Sequence, residues 1–272
     1  MERELVIFDS YIIRNILPEK TADNVFLKLI KEVKFGTMKM KGGNVPRQIC
    51  LQVERSDKGV PIYRHPADHH PPMYDWTPTI KSLKQVIEYH SGTDINHILI
   101  QKYMSGKDFI SDHSDKTLDI KKGTSIINFS LGATRDLILK TKKDNGLPRR
   151  SIKIKLPHNS IFILGKKTNM MYTHSIRQDK RLETEKTDDE KLFDGIRISL
   201  TCRDIATFYK NGKLYGQGAK LNMNNINNTH DNESNKKELE KLYNAFHTEN
   251  SNSNFDWNNT YGDGFNILNF DI

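Results

Sequence analysis

A histidine, a carboxylate and a second histidine stand in the order of a facial metal triad: His113-Ser114-Asp115, then His174. Two imidazoles and one carboxylate hold Fe(II) on one face and leave neighbouring coordination positions open for a co-substrate and dioxygen. Downstream, Arg197-Ile198-Ser199-Leu200-Thr201-Cys202-Arg203 adds two guanidinium groups. Guanidinium binds carboxylates through charge-assisted, bidentate hydrogen bonds, which suits a dicarboxylate co-substrate. The chemistry these residues suit is an oxidation that uses iron and 2-oxoglutarate.

Each piece alone is weak. With ten histidines in the chain, about one His-x-Asp is expected from composition. His247-Thr248-Glu249 is a similar pair, but too little chain follows it to supply a second histidine and an arginine. The surroundings of His113 are different. Ile126–Gly132 and Ser160–Gly165 read as strands, and Arg197 to Thr201 alternates polar and apolar residues at a period of two. On a strand, His113 and Asp115 point to one face, as do Arg197, Ser199 and Thr201. The competing reading makes them unrelated surface polar residues on β-strands.

The elements that must position these groups follow from the rest of the chain. A length of 272 residues allows one large domain or two small ones, and 36% hydrophobic residues leaves part of the chain outside a core. The net charge of +8 and pI near 9.2 favour a polyanionic partner. Cys50 and Cys202 are too few for a disulfide framework or a thiolate metal site. Met1-Glu2-Arg3-Glu4 has neither the basic start nor the apolar run of a secretory leader, and no stretch approaches the length of a membrane span. A soluble nuclear or cytoplasmic protein with no membrane partner is expected, and it is expected to be a monomer.

Leu5 to Ile13 predicts a strand, and Pro18 opens a helix through about Val33. Residues 36–78, rich in Gly, Pro and His, read as a long binding loop or lid. A second helix from about Thr79 to His90 stops at Gly92, and strands dominate from Ile95 to Phe208. Within that region Asn145-Gly146 is a hairpin-turn signal. Lys140, Lys142, Lys143, Arg149 and Arg150 flank it, as a phosphate-backbone contact or a solvated hairpin tip. Residues 221–272 contain fifteen asparagines and one helix-like stretch, Lys236 to Phe246. They read as a disordered or loosely attached tail. Its aromatic and acidic end is either a docking motif for a protein partner or compositional drift.

Gln101-Lys102-Tyr103, Gly106 and His113-x-Asp115, continued by Ser130-Leu131-Gly132, His174 and Arg197-x-Ser199-Leu200-Thr201-x-Arg203, resemble the AlkB-like iron/2-oxoglutarate dioxygenases. The likeness covers residues 5–210 and is nearest to the eukaryotic DNA and RNA demethylase branch. It implies that His113, Asp115 and His174 bind Fe(II), with 2-oxoglutarate and O2 as co-substrates. It implies that Tyr103 and Arg197 hold the distal carboxylate of 2-oxoglutarate and that Arg203 sits near its other end. Gln101, which stands where the family has Asn, and Ser199, where Asn is common, are likewise implied to contact 2-oxoglutarate. Val45-Pro46-Arg47, Tyr63 and Pro71-Pro72-Met73 are similar to the family's nucleotide-recognition lid, and Arg47, Tyr63, Tyr74 and Trp76 are its candidate base contacts. Thr117 stands where nucleobase demethylases place an acidic residue beside the base, so the attraction for a cationic base is missing there.

The resemblance implies an α+β, mainly β protein: a double-stranded β-helix (jelly-roll) over about 95–208, supporting helices before it, and a substrate lid over 36–78. The dioxygenase domain is expected to span 1–220. Oxidative demethylation of N-alkylated bases in DNA or RNA is the function expected, with nucleic acid as partner. The alternatives are a 2-oxoglutarate oxygenase acting on a protein or small molecule, and a non-catalytic nucleic-acid-binding module.

Overall fold

The structure, a computed structural model, describes residues 2–40, 43–66, 71–143, 148–220, 233–268 and 270. In chain order the strands are β1 (Glu4–Ile7), β2 (Ser10–Arg14), β3 (Gly36–Met40), β4 (Gly43–Val53), β5 (Val60–Pro61), β6 (Met73–Tyr74), β7 (His97–Tyr103) and β8 (Ile110–His113). They continue with β9 (Ile126–Gly132), β10 (Arg135–Thr141), β11 (Ser151–Leu156), β12 (Ser160–Leu164), β13 (Tyr172–Ile176), β14 (Arg197–Arg203), β15 (Thr207–Lys210) and β16 (Lys213–Gly216). The helices are α1 (Glu19–Glu32), α2 (Pro78–Ser91), α3 (Lys166–Met171), α4 (Asp188–Lys191), α5 (Glu233–Ser251) and α6 (Trp257–Tyr261).

Two sheets face each other as in a jelly-roll. The major sheet runs β1-β2-β12-β9-β14-β7-β4-β3, and the minor sheet runs β11-β10-β13-β8. Their facing surfaces bury Tyr103, Leu137, Leu139, Leu156, Phe162 and Leu164. The major sheet's other face packs on α1 and α2 through Phe26, Leu29, Ile80, Leu83, Ile100, Phe129 and Leu200. β14 lies at the centre, paired with β7 on one side and β9 on the other. Its period of two turns Ile198, Leu200 and Cys202 toward the helices. Arg197, Ser199, Thr201 and Arg203 line the space between the sheets. Every residue of β14 is buried, so its polar alternation is not a solvent face.

The supporting helices follow their sequence signals. α1 begins after Pro18 and buries Ala22, Phe26 and Leu29, while α2 ends on the left-handed Gly92. Gly132 is required for another reason: its φ is +85°, and a Cβ there would lie 2.2 Å from the Ile196 carbonyl oxygen, at the entrance to β14.

Several expectations need correction. Leu5 to Ile13 is a hairpin of β1 and β2 that turns at Phe8, where φ is +48°. The first part of the expected lid is built into the major sheet, because β4 pairs with β7 from Gln48 to Val53 and buries Ile49, Cys50, Leu51 and Val53. The largest difference is at the C-terminus. Residues 233–268 are a docked helical segment. Leu242, Phe246, Tyr261, Phe265 and Ile267 bury themselves with Leu118, and Leu268 and Phe270 pack with Ile62 and Leu214. The aromatic end thus covers this chain's own core. Residues 221–232, the start of the expected tail, and Asn145-Gly146 at the expected hairpin tip lie outside the described residues.

Buried charges fasten the C-terminal segment. Arg64, fully buried, donates to both carboxylate oxygens of Asp119 and reaches the carbonyls of Gly218 at 2.7 Å and Phe265 at 2.8 Å. Lys142 donates to the carbonyls of Glu249 and Asn252 at the end of α5. A cation there meets the negative end of the helix dipole and two carbonyls that have no partner within the helix. Glu249 accepts hydrogen bonds from the Thr117 amide, the Thr117 hydroxyl and the Tyr261 hydroxyl. No helix among the described residues is long and apolar enough to cross a membrane.

Candidate metal centre and co-substrate pocket

His113 ends β8 and lies across from His174 on β13, so strand pairing alone brings the two rings to a centroid separation of 4.2 Å. Asp115 arrives differently. The strand stops at His113, and the chain leaves the sheet before Asp115. A shared strand face therefore does not explain the pair, contrary to the sequence expectation. Asn169, within α3, fixes that loop by accepting from the Asp115 amide at 3.0 Å and donating to the Asp115 carbonyl at 2.9 Å. Tyr63 adds a clamp: its hydroxyl donates to Asp115 Oδ1 at 3.0 Å and accepts from the Lys116 amide.

The ligating atoms are left facing one another. Asp115 Oδ1 is held by Tyr63 and by Arg203 Nη2. Its other oxygen, Oδ2, lies 3.6 Å from His174 Nε2. His113 Nδ1 sits 2.8 Å from the Ser111 carbonyl, which assigns the proton to Nδ1 and presents Nε2. One atom from each of the three residues lies within 4.8 Å of the others, the only such group of metal-ligating side chains among the described residues.

Electrostatics prepare the same set. Burial would raise the Asp115 carboxyl, but the Arg203 guanidinium, then His174 and His113, hold it well below the usual carboxylate range. Burial, followed by the neighbouring His113, pushes the His174 imidazole down to about 3. His113 is likewise lowered, chiefly by burial. At neutral pH the trio is one carboxylate and two neutral imidazoles, the protonation state that metal coordination requires.

Beside the triad, between the sheets, is a cavity of about 70 Å³. Arg197, only 1% exposed, projects into it from β14. Its Nη2 donates to Asn128 Oδ1 and to Ser130 Oγ at 2.8 Å. Its Nε and Nη1 are buried and have no hydrogen-bond partner, as are the Nε and Nη1 of Arg203. Buried guanidinium nitrogens without partners are costly unless an anion completes them. Tyr103, at the end of β7, pairs with Arg197 across the strand boundary, with its ring 5.2 Å from the guanidinium carbon. Burial lowers Arg197 to about 10, which still leaves it charged at neutral pH. This donor set fits a dicarboxylate, as the triad fits a divalent metal. Arg197 and Tyr103 would hold the far carboxylate of 2-oxoglutarate.

The remaining expected contacts divide. Gln101 and Ser199 line this cavity. Gln101 is bound on both sides: its Oε1 accepts from Arg47 Nε at 2.6 Å and its Nε2 donates to Thr201. Arg47 therefore closes the pocket through Gln101 and also donates to the Phe109 carbonyl. Arg203 holds Asp115 and stacks 4.1 Å from the Tyr63 ring centre.

A second cavity of about 320 Å³ opens on the other side of His113. Tyr63 and His65 form one wall, and Tyr243, Phe246, His247 and Asn250 of α5 form the other. Of the expected base contacts, only Tyr63 lines it. Tyr74 and Trp76 pack against the core under α2. Thr117 turns to Glu249 and away from the cavity, because the strand on which it was placed ends four residues earlier. The sequence reading had the helix-like stretch Lys236 to Phe246 but placed it in a loose tail and gave its residues no part in the site. Leu239, Leu242, Tyr243 and Phe246, at i, i+3, i+4 and i+7, carried the signal of a packed helix.

The expected phosphate contacts also separate. Lys140 pairs with Asp112, and Lys142 is the buried anchor of α5, so neither is a free surface cation. Lys143, Arg149 and Arg150 are exposed.

Comparison with known proteins agrees with this geometry. Residues 9–203 match the family model described as the 2OG-Fe(II) oxygenase superfamily. The chain is 27% identical over 211 residues to the DNA oxidative demethylase ALKBH2 of Bos taurus, covering 74% of this chain and 70% of that protein. It is 28% identical over 172 residues to ALKBH2 of Mus musculus, covering 59% and 70%. The solved structure of OsALKBH1 superposes with a TM-score of 0.50 at 15% identity, covering 75% of this chain and all of that one, a likeness of fold. With the metal triad, the buried arginines and a family match over most of its length, this chain belongs to the 2OG-Fe(II) oxygenase superfamily, enzymes that use Fe(II), 2-oxoglutarate and O2.

Proposed function

We propose that the protein is an oxidative demethylase of N-alkylated bases in DNA or RNA. The observation that carries this reading is the division of space around His113. A small cavity with incompletely bonded guanidiniums lies on one side, and a larger, open, aromatic cavity lies on the other. The first suits 2-oxoglutarate and the second a planar base turned out of its stack. Similarity to proteins named DNA oxidative demethylases supports the same substrate class, and the net charge of +8 suits a polyanion.

Bound iron supplies the activation of dioxygen, which the protein itself cannot perform. Arg197 and Tyr103 orient the co-substrate, and its carboxylate completes their hydrogen bonding. Arg203, Tyr63 and Asn169 keep Asp115 aimed at the metal position. The two sheets exclude water from the co-substrate side. In the overall reaction one oxygen atom enters a C–H bond of the N-methyl group and the other enters 2-oxoglutarate, yielding succinate and carbon dioxide. The N-hydroxymethyl base then loses formaldehyde. In this reading the enzyme acts on nucleic acid in the nucleus or cytoplasm, as a monomer.

The test is incubation of the iron-loaded protein with 2-oxoglutarate, ascorbate and methylated oligonucleotides. Formaldehyde and the unmodified base are the expected products. Consumption of 2-oxoglutarate with every oligonucleotide unchanged would favour a protein or small-molecule substrate.

A further inference from the structure

The larger cavity is half built by α5, a segment outside the residues matched by the family. Tyr243, Phe246 and His247 face Tyr63 and His65 across it, while His113 and Lys116 form its floor. Asn250 joins wall and floor: its Oδ1 accepts from the Ser114 amide at 2.9 Å, between the two ligands of the His-x-Asp pair, and from Lys116 Nζ at 3.1 Å.

Among the described residues, Lys116 is the one lysine, arginine, aspartate or glutamate that lines this space. Two carboxylates come near it, and both are bound elsewhere. Asp115 Oδ1 is held by Tyr63 and Arg203, and Oδ2 faces the metal position. Glu249 is held by Thr117 and Tyr261, neither of which lines the cavity. Among the described residues, no carboxylate lines the cavity, whereas the Lys116 amine does, donating to the Ser114 carbonyl and Asn250. A base in its cationic form would lose its water there and gain no counter-charge from the described lining. An uncharged base incurs no such penalty and finds the same aromatic faces.

We propose that α5 completes the substrate pocket and that the pocket so completed selects alkylated bases carrying no positive charge. This deepens the demethylase reading and rests on it. N3-methylthymine and N1-methylguanine are of the uncharged class, and N3-methylcytosine and N1-methyladenine are of the cationic class. Thr117 contributes indirectly, by keeping the Glu249 carboxylate engaged away from the cavity.

The experiment uses the full chain with Fe(II) and 2-oxoglutarate, and single-stranded oligonucleotides of one sequence carrying one of these four bases. Binding is measured without oxygen, and base repair is measured in air. The uncharged pair is expected to bind and react about tenfold better than the cationic pair. His247 is exposed on α5, so His247→Glu places a carboxylate on the cavity wall with the core untouched. It should move the ratio about tenfold toward the cationic pair. Tyr243→Ala should weaken binding of all four. Preference for the cationic pair, or a ratio that His247→Glu does not move, would overturn the proposal and leave the demethylase reading standing. Consumption of 2-oxoglutarate with no base bound or repaired would overturn both.

Discussion

Asp115 shows how much of the site depends on single atoms. One carboxylate oxygen is engaged by Tyr63 and Arg203, which leaves the other for a metal. Asp115→Ala should therefore abolish both iron binding and turnover, and metal analysis of the purified variant checks this. Tyr63→Phe removes one hydrogen bond to the ligand and one to the Lys116 amide. Each is worth about 1 kcal/mol, so iron affinity should fall several-fold in a metal titration. Arg197→Ala removes a charge from the co-substrate pocket, and charged hydrogen bonds of about 1.5–3 kcal/mol imply a KM for 2-oxoglutarate raised roughly 10- to 100-fold. The imidazoles give a pH dependence. His174, lowered to about 3 by burial and His113, is neutral when folded, while the unfolded chain protonates near 6.5. The unfolded state then binds more protons as pH falls from 6.5 toward 3, so stability declines through that window. Asp115 acts at lower pH: its contribution is fully present above the ordinary carboxyl value of 3.8 and is lost as pH falls from there through its depressed value. The metal-free protein should show a lower urea midpoint at pH 5 than at pH 7.5.

At the scale of elements, strand period and helix packing decide what the sequence could disclose. The alternation in Arg197 to Arg203 was legible because a strand sends Arg197, Ser199 and Thr201 to one face whatever surrounds it. The same rule misplaced Asp115 and Thr117, since it assumed a strand that ends at His113. The clamp on Asp115 comes from Tyr63 and Asn169, each more than fifty positions away, and no local pattern announces such contacts. The C-terminal segment was obscured by its composition. Its asparagines dilute an apolar stripe that becomes stable only against Leu118 and the buried anchors Arg64 and Lys142. If α5 is integral to the fold, Phe246→Ala should cost about 3–5 kcal/mol in urea unfolding, since that ring is fully buried. A loss below about 1 kcal/mol would mean that the helix is not part of the cooperative unit.

At the scale of the whole molecule, a basic chain carries a metal site near the centre of two sheets and an aromatic cavity at its open side. The exposed cations Lys143, Arg149 and Arg150 sit at the end of the minor sheet. If Arg149 and Arg150 each meet a phosphate, replacing both by Ala should flatten the plot of log affinity against log salt by about 1.4 for a single strand. An unchanged slope would remove them from the interface. The central claim, that this iron site demethylates a base, is tested most directly by counting products. Iron-loaded protein is incubated with 2-oxoglutarate and oligonucleotides bearing each of the four methylated bases, and formaldehyde and succinate are measured together. Formaldehyde and repaired base rising in equal amounts with at least one oligonucleotide, tied to succinate and absent in Asp115→Ala, is the predicted result. Succinate formed without formaldehyde from any of the four would contradict it.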